Sequence, residues 1–129
     1  MKTSILIWIV RLTAAIILLQ TLYFKFTAAE ESVYIFSALG IEPYGRIGSG
    51  IAELVAAILI LIPRTTWLGA LIGAGIMFSA ILSHLFVLGI EVKNDGGELF
   101  ILAIITFLCC DALIYWNKSK INNILKLKL

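Results

Sequence analysis

Four long apolar stretches separated by short polar segments dominate the chain. The first covers about 4–26 and is broken only by Arg11, Gln20 and Lys25. The second covers about 46–62 and stops at Pro63-Arg64, the third about 67–88, and the fourth about 98–116. Each is near the ~20 residues an α-helix needs to cross the hydrocarbon of a bilayer. Lipid offers the backbone no hydrogen bonds, and a helix satisfies its own. The pattern predicts an all-α membrane protein, with four transmembrane helices in one bundle.

The polar segments add detail. Thr27-Ala-Ala-Glu30 has capping-box form and precedes Val33, Phe36 and Leu39 at helical spacing. This predicts a short interfacial helix between spans one and two, stopped at Gly40. Glu91 to Gly97 forms a polar loop before span four, and 117–129 forms a basic tail suited to anionic lipid. Trp8, Trp67, Tyr115 and Trp116 fall near span ends, where amphipathic rings prefer to lie. With both termini cytoplasmic, the inner face holds Lys2, Arg64, Lys118, Lys120, Lys126 and Lys128, and the outer face Arg46 and Lys93. That bias predicts termini in the cytoplasm of a bacterial cell, with the bundle in the cytoplasmic (inner) membrane.

Composition agrees. The 129 residues are 61% hydrophobic and 14% charged, against roughly 45–50% and about 25% for a soluble domain. One transmembrane domain, 1–129, uses the whole length. The first stretch is expected to remain as a span, because it lacks a small-residue cleavage site. Cys109 and Cys110 are adjacent inside span four, which is neither a disulfide framework nor a zinc pattern. A lone histidine, His84, is a poor metal site. No metal and no intrinsic cofactor are expected. Gly45 to Gly50 is glycine-rich but lacks the strand and spacing of a nucleotide loop. The expected partners are the lipid bilayer and other membrane components, not nucleic acid.

Charges inside spans are costly and are functional candidates by default. At ~1.5 Å per residue, Lys25 lies near the outer end of span one, Glu53 ~10 Å below the outer end of span two, and His84 ~6 Å below that of span three. Glu98 opens span four at the same level. Lys25, Glu53, His84 and Glu98 are therefore a candidate ligand-binding tier. The bland alternatives are a self-neutralising network, a snorkelling Lys25 and a helix-capping Glu98. Lower down, Arg11 and Asp111 match in depth, which predicts a structural ion pair joining spans one and four. Gly69 and Gly73 form a small-residue packing face on span three, and Met77, Ala80 and His84 continue it.

The residues Ile9-Val-Arg11-Leu12, Tyr23-Phe24-Lys25-Phe26, Glu53 in a span closed by Pro63-Arg64, then His84-Leu85 and Gly96-Gly97 resemble the DoxX and DoxX-like membrane proteins. The resemblance covers nearly the whole chain and implies a four-helix membrane fold. It also implies an association with membrane oxidoreductase complexes, since the family's namesake is the small subunit of a thiosulfate:quinone oxidoreductase. Arg11, Lys25 and Glu53 match family positions in the first two spans, without an implied catalytic role. With no redox centre in the chain, electron transfer would need a bound quinone or an oxidoreductase partner.

The leading expectation is a redox-system subunit or accessory that binds a quinone-type or other small ligand in the outer half of the bundle. Lys25 or His84 would donate to a ligand carbonyl, and Glu53 would take or deliver the proton. The rivals are a non-catalytic assembly subunit, and a small homo-oligomeric transporter or proton pathway.

Overall fold

A computed structural model describes residues 2–92 and 95–128, and side chains from 4 to 123 within them. The chain forms α1 (Lys2–Phe26), α2 (Glu30–Ala38), α3 (Tyr44–Leu61), α4 (Thr66–Ser83), α5 (Glu98–Trp116) and α6 (Lys118–Lys128). A π-helical turn, His84–Leu88, continues α4, so the apolar element runs from Thr66 to Leu88 over 23 residues. The spans α1, α3, α4 and α5 lie close to the four stretches read from the sequence. The basic tail is itself helical, as α6. Lys93 and the side chains of Lys2, Lys126 and Lys128 lie outside the described residues.

The termini of the elements follow from local chemistry. Pro63 cannot continue α3, and Ile62 before it is extended at φ −92° and ψ 118°. Carbonyls left open there are met by hydroxyls: Thr66 donates to the Ile60 and Ile62 carbonyls, both at 2.9 Å. The expected capping box does not form. α2 starts at Glu30 with Ala29 in the capping position and no side-chain cap. Because α1 runs on to Phe26, Thr27 sits at that helix's C-terminus, where its hydroxyl donates to the Tyr23 carbonyl at 2.6 Å. α2 ends where expected. The Ile41 N–H donates to the Phe36 carbonyl and the Gly40 N–H to that of Ser37, a Schellman closure.

The four spans form a ring, with α1 on α3, α3 on α4, α4 on α5, and α5 back on α1. The inner surface is built from small residues such as Ala14, Ala56, Ala57 and Ala70. The outer surface presents large ones: Ile9, Leu12, Ile16, Ile51, Val55 and Ile58 are exposed. Small inside and large outside suits a bundle solvated by lipid, where close backbone approach replaces the hydrophobic drive. A β-carbon on Gly69 would meet the Ile60 amide nitrogen at 2.6 Å and the Ala56 carbonyl oxygen at 2.7 Å. Backbone cannot yield as a side chain would, so the close approach of α4 to α3 at this level requires glycine at 69. One turn on, Gly73 makes room for the Cys110 sulfur.

Gly69→Ala should therefore destabilise the bundle by about 1–3 kcal/mol, the usual range for overpacking, in reversible unfolding within lipid bicelles. Gly48→Ala is the matched control, since a β-carbon there meets nothing within 4 Å. It should unfold no more readily than wild type.

Candidate functional site

The site lies at the end of the bundle away from the termini, where α2 packs on α1, α3 and the π-helical turn. Its wall is an ion pair between α1 and α3. The Lys25 ammonium donates to Glu53 Oε1 and to the Ser49 hydroxyl at 3.2 Å. The Thr21 hydroxyl donates to the second oxygen, Oε2, at 3.1 Å. Glu53 is 2% exposed and Lys25 15%. Both carboxylate oxygens are thus satisfied. The ammonium uses two of its three N–H donors on side chains, with the Phe36 ring of α2 5.8 Å away.

The same turn of the bundle carries a second pair. Arg46, near the start of α3, donates from Nε to Glu42 at 2.8 Å, and from Nη1 to the backbone carbonyl of Lys25. A cation on the open carbonyls of a helix C-terminus is favourable. Arg46 thus anchors the end of α1 that presents Lys25, instead of lying free at the surface.

Across the bundle, His84 opens the π-helical turn. Its carbonyl accepts from the Gly89 N–H at 2.7 Å, and its ring Nδ1 donates to the Gly89 carbonyl at 2.9 Å. A carbonyl can only accept, so Nδ1 carries the proton and Nε2 faces away from Gly89. Gly89 adopts φ 83° and ψ 168°, a conformation essentially restricted to glycine. Phe100 of α5 packs against the imidazole edge-on, with centroids 5.5 Å apart. Single π-turns recur at functional positions, and here the turn holds the buried histidine in place.

Asp95 orders the loop beside it. Its Oδ1 accepts from the Val92 and Gly97 N–H groups at 3.0 and 2.8 Å, and its Oδ2 from Leu99 at 3.2 Å. Burial pushes this carboxyl up, but the three backbone donors and the nearby His84 charge pull it below its ordinary value.

Between these groups lies a cavity of about 690 Å³. Lys25, Glu53, His84 and Glu98 all line it, together with Thr21, Ser49 and Asp95. Apolar side chains from α1, α2, α4 and α5 form the rest, among them Leu18, Phe36, Met77 and Leu102. Glu98 is exposed at the start of α5, whereas Glu53 and His84 are buried. The volume falls in the range of small-molecule sites. The chain matches the family model described as DoxX-like over residues 9–110. It belongs to the DoxX-like family.

No curated protein and no solved structure matches the chain. The family match takes in Arg11 and every charged residue of the cavity, and it stops one residue short of Asp111. The expected Arg11–Asp111 pair is not formed in this DoxX-like bundle. Arg11 is buried and lies over the Trp8 ring, 4.2 Å from its centroid. Asp111 is exposed. The reason is rotation, not depth. The buried face of α5 runs through Ala103, Thr106, Cys110 and Leu113, and Asp111 sits ~100° around from Cys110.

Thr21, Ser49, Asp95, Glu42 and the structural use of Arg46 escape a reading that follows charges inside spans alone. Signals for some were present. Thr21 and Ser49 each stand one turn before the charged residue of their own helix and bond the charged residue of the other. Asp95 stands just ahead of a helix start in an Asn-Asp-Gly-Gly stretch, a capping context.

Two outcomes follow. Lys25→Met or Glu53→Leu alone leaves a buried charge unpaired and should cost about 3–5 kcal/mol in bicelle unfolding. The double variant should recover most of that loss, a coupling measurable as a double-mutant cycle. Asp95 contributes stability that is fully present above its unfolded value, ordinarily 3.8, and fades as pH falls through the lower folded one. Asp95→Asn keeps one acceptor oxygen and loses the one that meets Leu99, so it should unfold more readily than wild type at neutral pH by about 0.5–1.5 kcal/mol, the net worth of one hydrogen bond, and the gap should close on acidification below that value.

Proposed function

We propose that this DoxX-like membrane protein binds a small amphipathic ligand of the quinone type in the cavity under α2, as a subunit or accessory of a membrane redox system. The observation that carries the reading is the ion pair set into the wall of a largely apolar cavity within the spans. Apolar lining suits a ring and its substituents, while a few convergent polar groups fix orientation. The third N–H of Lys25 is the group to meet a ligand carbonyl, and the Nε2 of His84 becomes a second donor when the imidazole is protonated on both nitrogens. Glu53, already paired with Lys25, is the group to accept or return a proton as the ligand changes charge. The basic bias at the termini supports placing that end in the cytoplasm of a bacterial inner membrane, which puts the cavity in the outer leaflet.

A second reading, as an assembly subunit, is favoured by Asp111. An exposed carboxylate on the outer face of a span is costly against lipid, and a partner helix or second copy would cover it.

The ligand reading is tested by calorimetric titration of a short-chain ubiquinone into the protein in phosphatidylcholine nanodiscs. Saturable binding near one per chain is expected. Ala80→Trp, which fills a lining position, should abolish it, and Lys25→Met should weaken it at least about tenfold, the effect of losing one charged hydrogen bond. Heat that never saturates, or equal binding by all three proteins, would sink the reading. Intrinsic fluorescence is a poor probe, because Trp8, Trp67 and Trp116 all lie at the opposite end of the bundle.

A further inference from the structure

Arg11 takes no part in the cavity. Its side chain is 7% exposed. Its Nε is enclosed without a hydrogen-bond acceptor, and among the described residues the guanidinium joins no ion pair. A guanidinium carries five donors and keeps its charge. Left without an acceptor inside a span, it is among the most costly groups a membrane protein can hold.

Its position shows what it could meet. Side chains on a helix lean toward the N-terminus. Accordingly, Arg11 lies over Trp8, one turn nearer the start of α1. The apolar span begins at Ser4, so Trp8 stands only ~6 Å inside it. A pocket of about 240 Å³ opens there, lined by Ser4, Ile7, Trp8, Arg11 and Pro63. It lies between α1 and the α3–α4 turn. That turn is basic: Arg64 follows Pro63, and the Lys120 ammonium donates to the Pro63 carbonyl at 3.4 Å.

We propose that this pocket binds the phosphodiester of an anionic membrane phospholipid, drawn from the leaflet on the side of the termini, with Arg11 as its principal donor. The planar guanidinium fork matches two phosphate oxygens. Lys120 and Arg64 supply positive charge at the turn. The volume takes a headgroup and not a whole lipid, which leaves the acyl chains on the apolar flank presented by Ile5, Ile9 and Leu12. Ser4 and Trp8 set the depth at the headgroup boundary, where lipid phosphate is concentrated and free anions are scarce. The site is separate from the cavity under α2 and does not depend on what that cavity holds.

Native mass spectrometry of the whole protein in mild detergent, supplemented with phosphatidylglycerol, tests the site. Wild type should retain one phosphatidylglycerol per chain through detergent exchange. Arg11→Gln should reduce that retention at least tenfold, and Arg11→Lys should be intermediate, having charge without the fork. Ser4→Trp keeps the arginine but fills the mouth of the pocket, and it should lose the lipid as Arg11→Gln does. It also guards against an Arg11 variant that fails to fold. Retention unchanged in both Arg11→Gln and Ser4→Trp overturns the proposal. So does displacement of the lipid by millimolar inorganic phosphate, which would make this a free-anion site. A lipid-free dimer that Asp111→Asn dissociates also overturns it, since Arg11 would then belong to a second copy's carboxylate.

Discussion

A lysine and a glutamate buried against each other in a bilayer set the arrangement of the first two spans. Neither charge is tolerable there alone, and each removes the other's penalty only at contact distance. The pair therefore constrains rotation and depth together. A helix that slides by one residue moves ~1.5 Å and turns ~100°, which would strand both groups. Thr21 and Ser49 complete the coordination from the turns before, and Arg46 holds the backbone of Lys25 itself. The α1–α3 interface is thus a polar lock within an apolar ring. The cavity exists because that lock faces inward, with α2 packed across the same end.

The spans were legible because lipid demands one thing of a sequence, a sustained apolar run of bilayer length, and four such runs are present. The polar tier was legible for a related reason. Depth follows from counting residues along a helix, and counting brought Lys25, Glu53, His84 and Glu98 to one level. They do share one cavity, with Glu98 at its exposed margin and the other three deeper.

Rotation was harder to read, and Asp111 shows why. On α5 the residues are apolar almost all round, so no polar stripe marks which face turns inward. The inward face is instead marked by size, through Ala103, Thr106 and Cys110. Reading residue volume on that helix would have separated Asp111 from Arg11 where reading hydrophobicity could not. The π-helical turn was illegible for a different reason. It arises from the exchange of hydrogen bonds between His84 and Gly89, and no short periodic signal announces it. The capping box at Thr27 failed because α2 starts only at Glu30, and the Thr27 hydroxyl instead closes the end of α1 on the Tyr23 carbonyl.

The spans also differ in length. α3 has 18 residues, whereas the apolar element from Thr66 through the π-helical turn has 23. At the usual rise these correspond to ~27 and ~34 Å. A membrane of uniform hydrocarbon thickness cannot match both, and mismatch is relieved by tilt or by local thinning. The short span α3 forms one side of the polar lock and α1, whose apolar stretch has 23 residues, forms the other, so the mismatch falls at the seam that Lys25 and Glu53 bridge. Pinning a short helix to a long one at one fixed point leaves tilt or local thinning of the bilayer to take up the difference in their lengths.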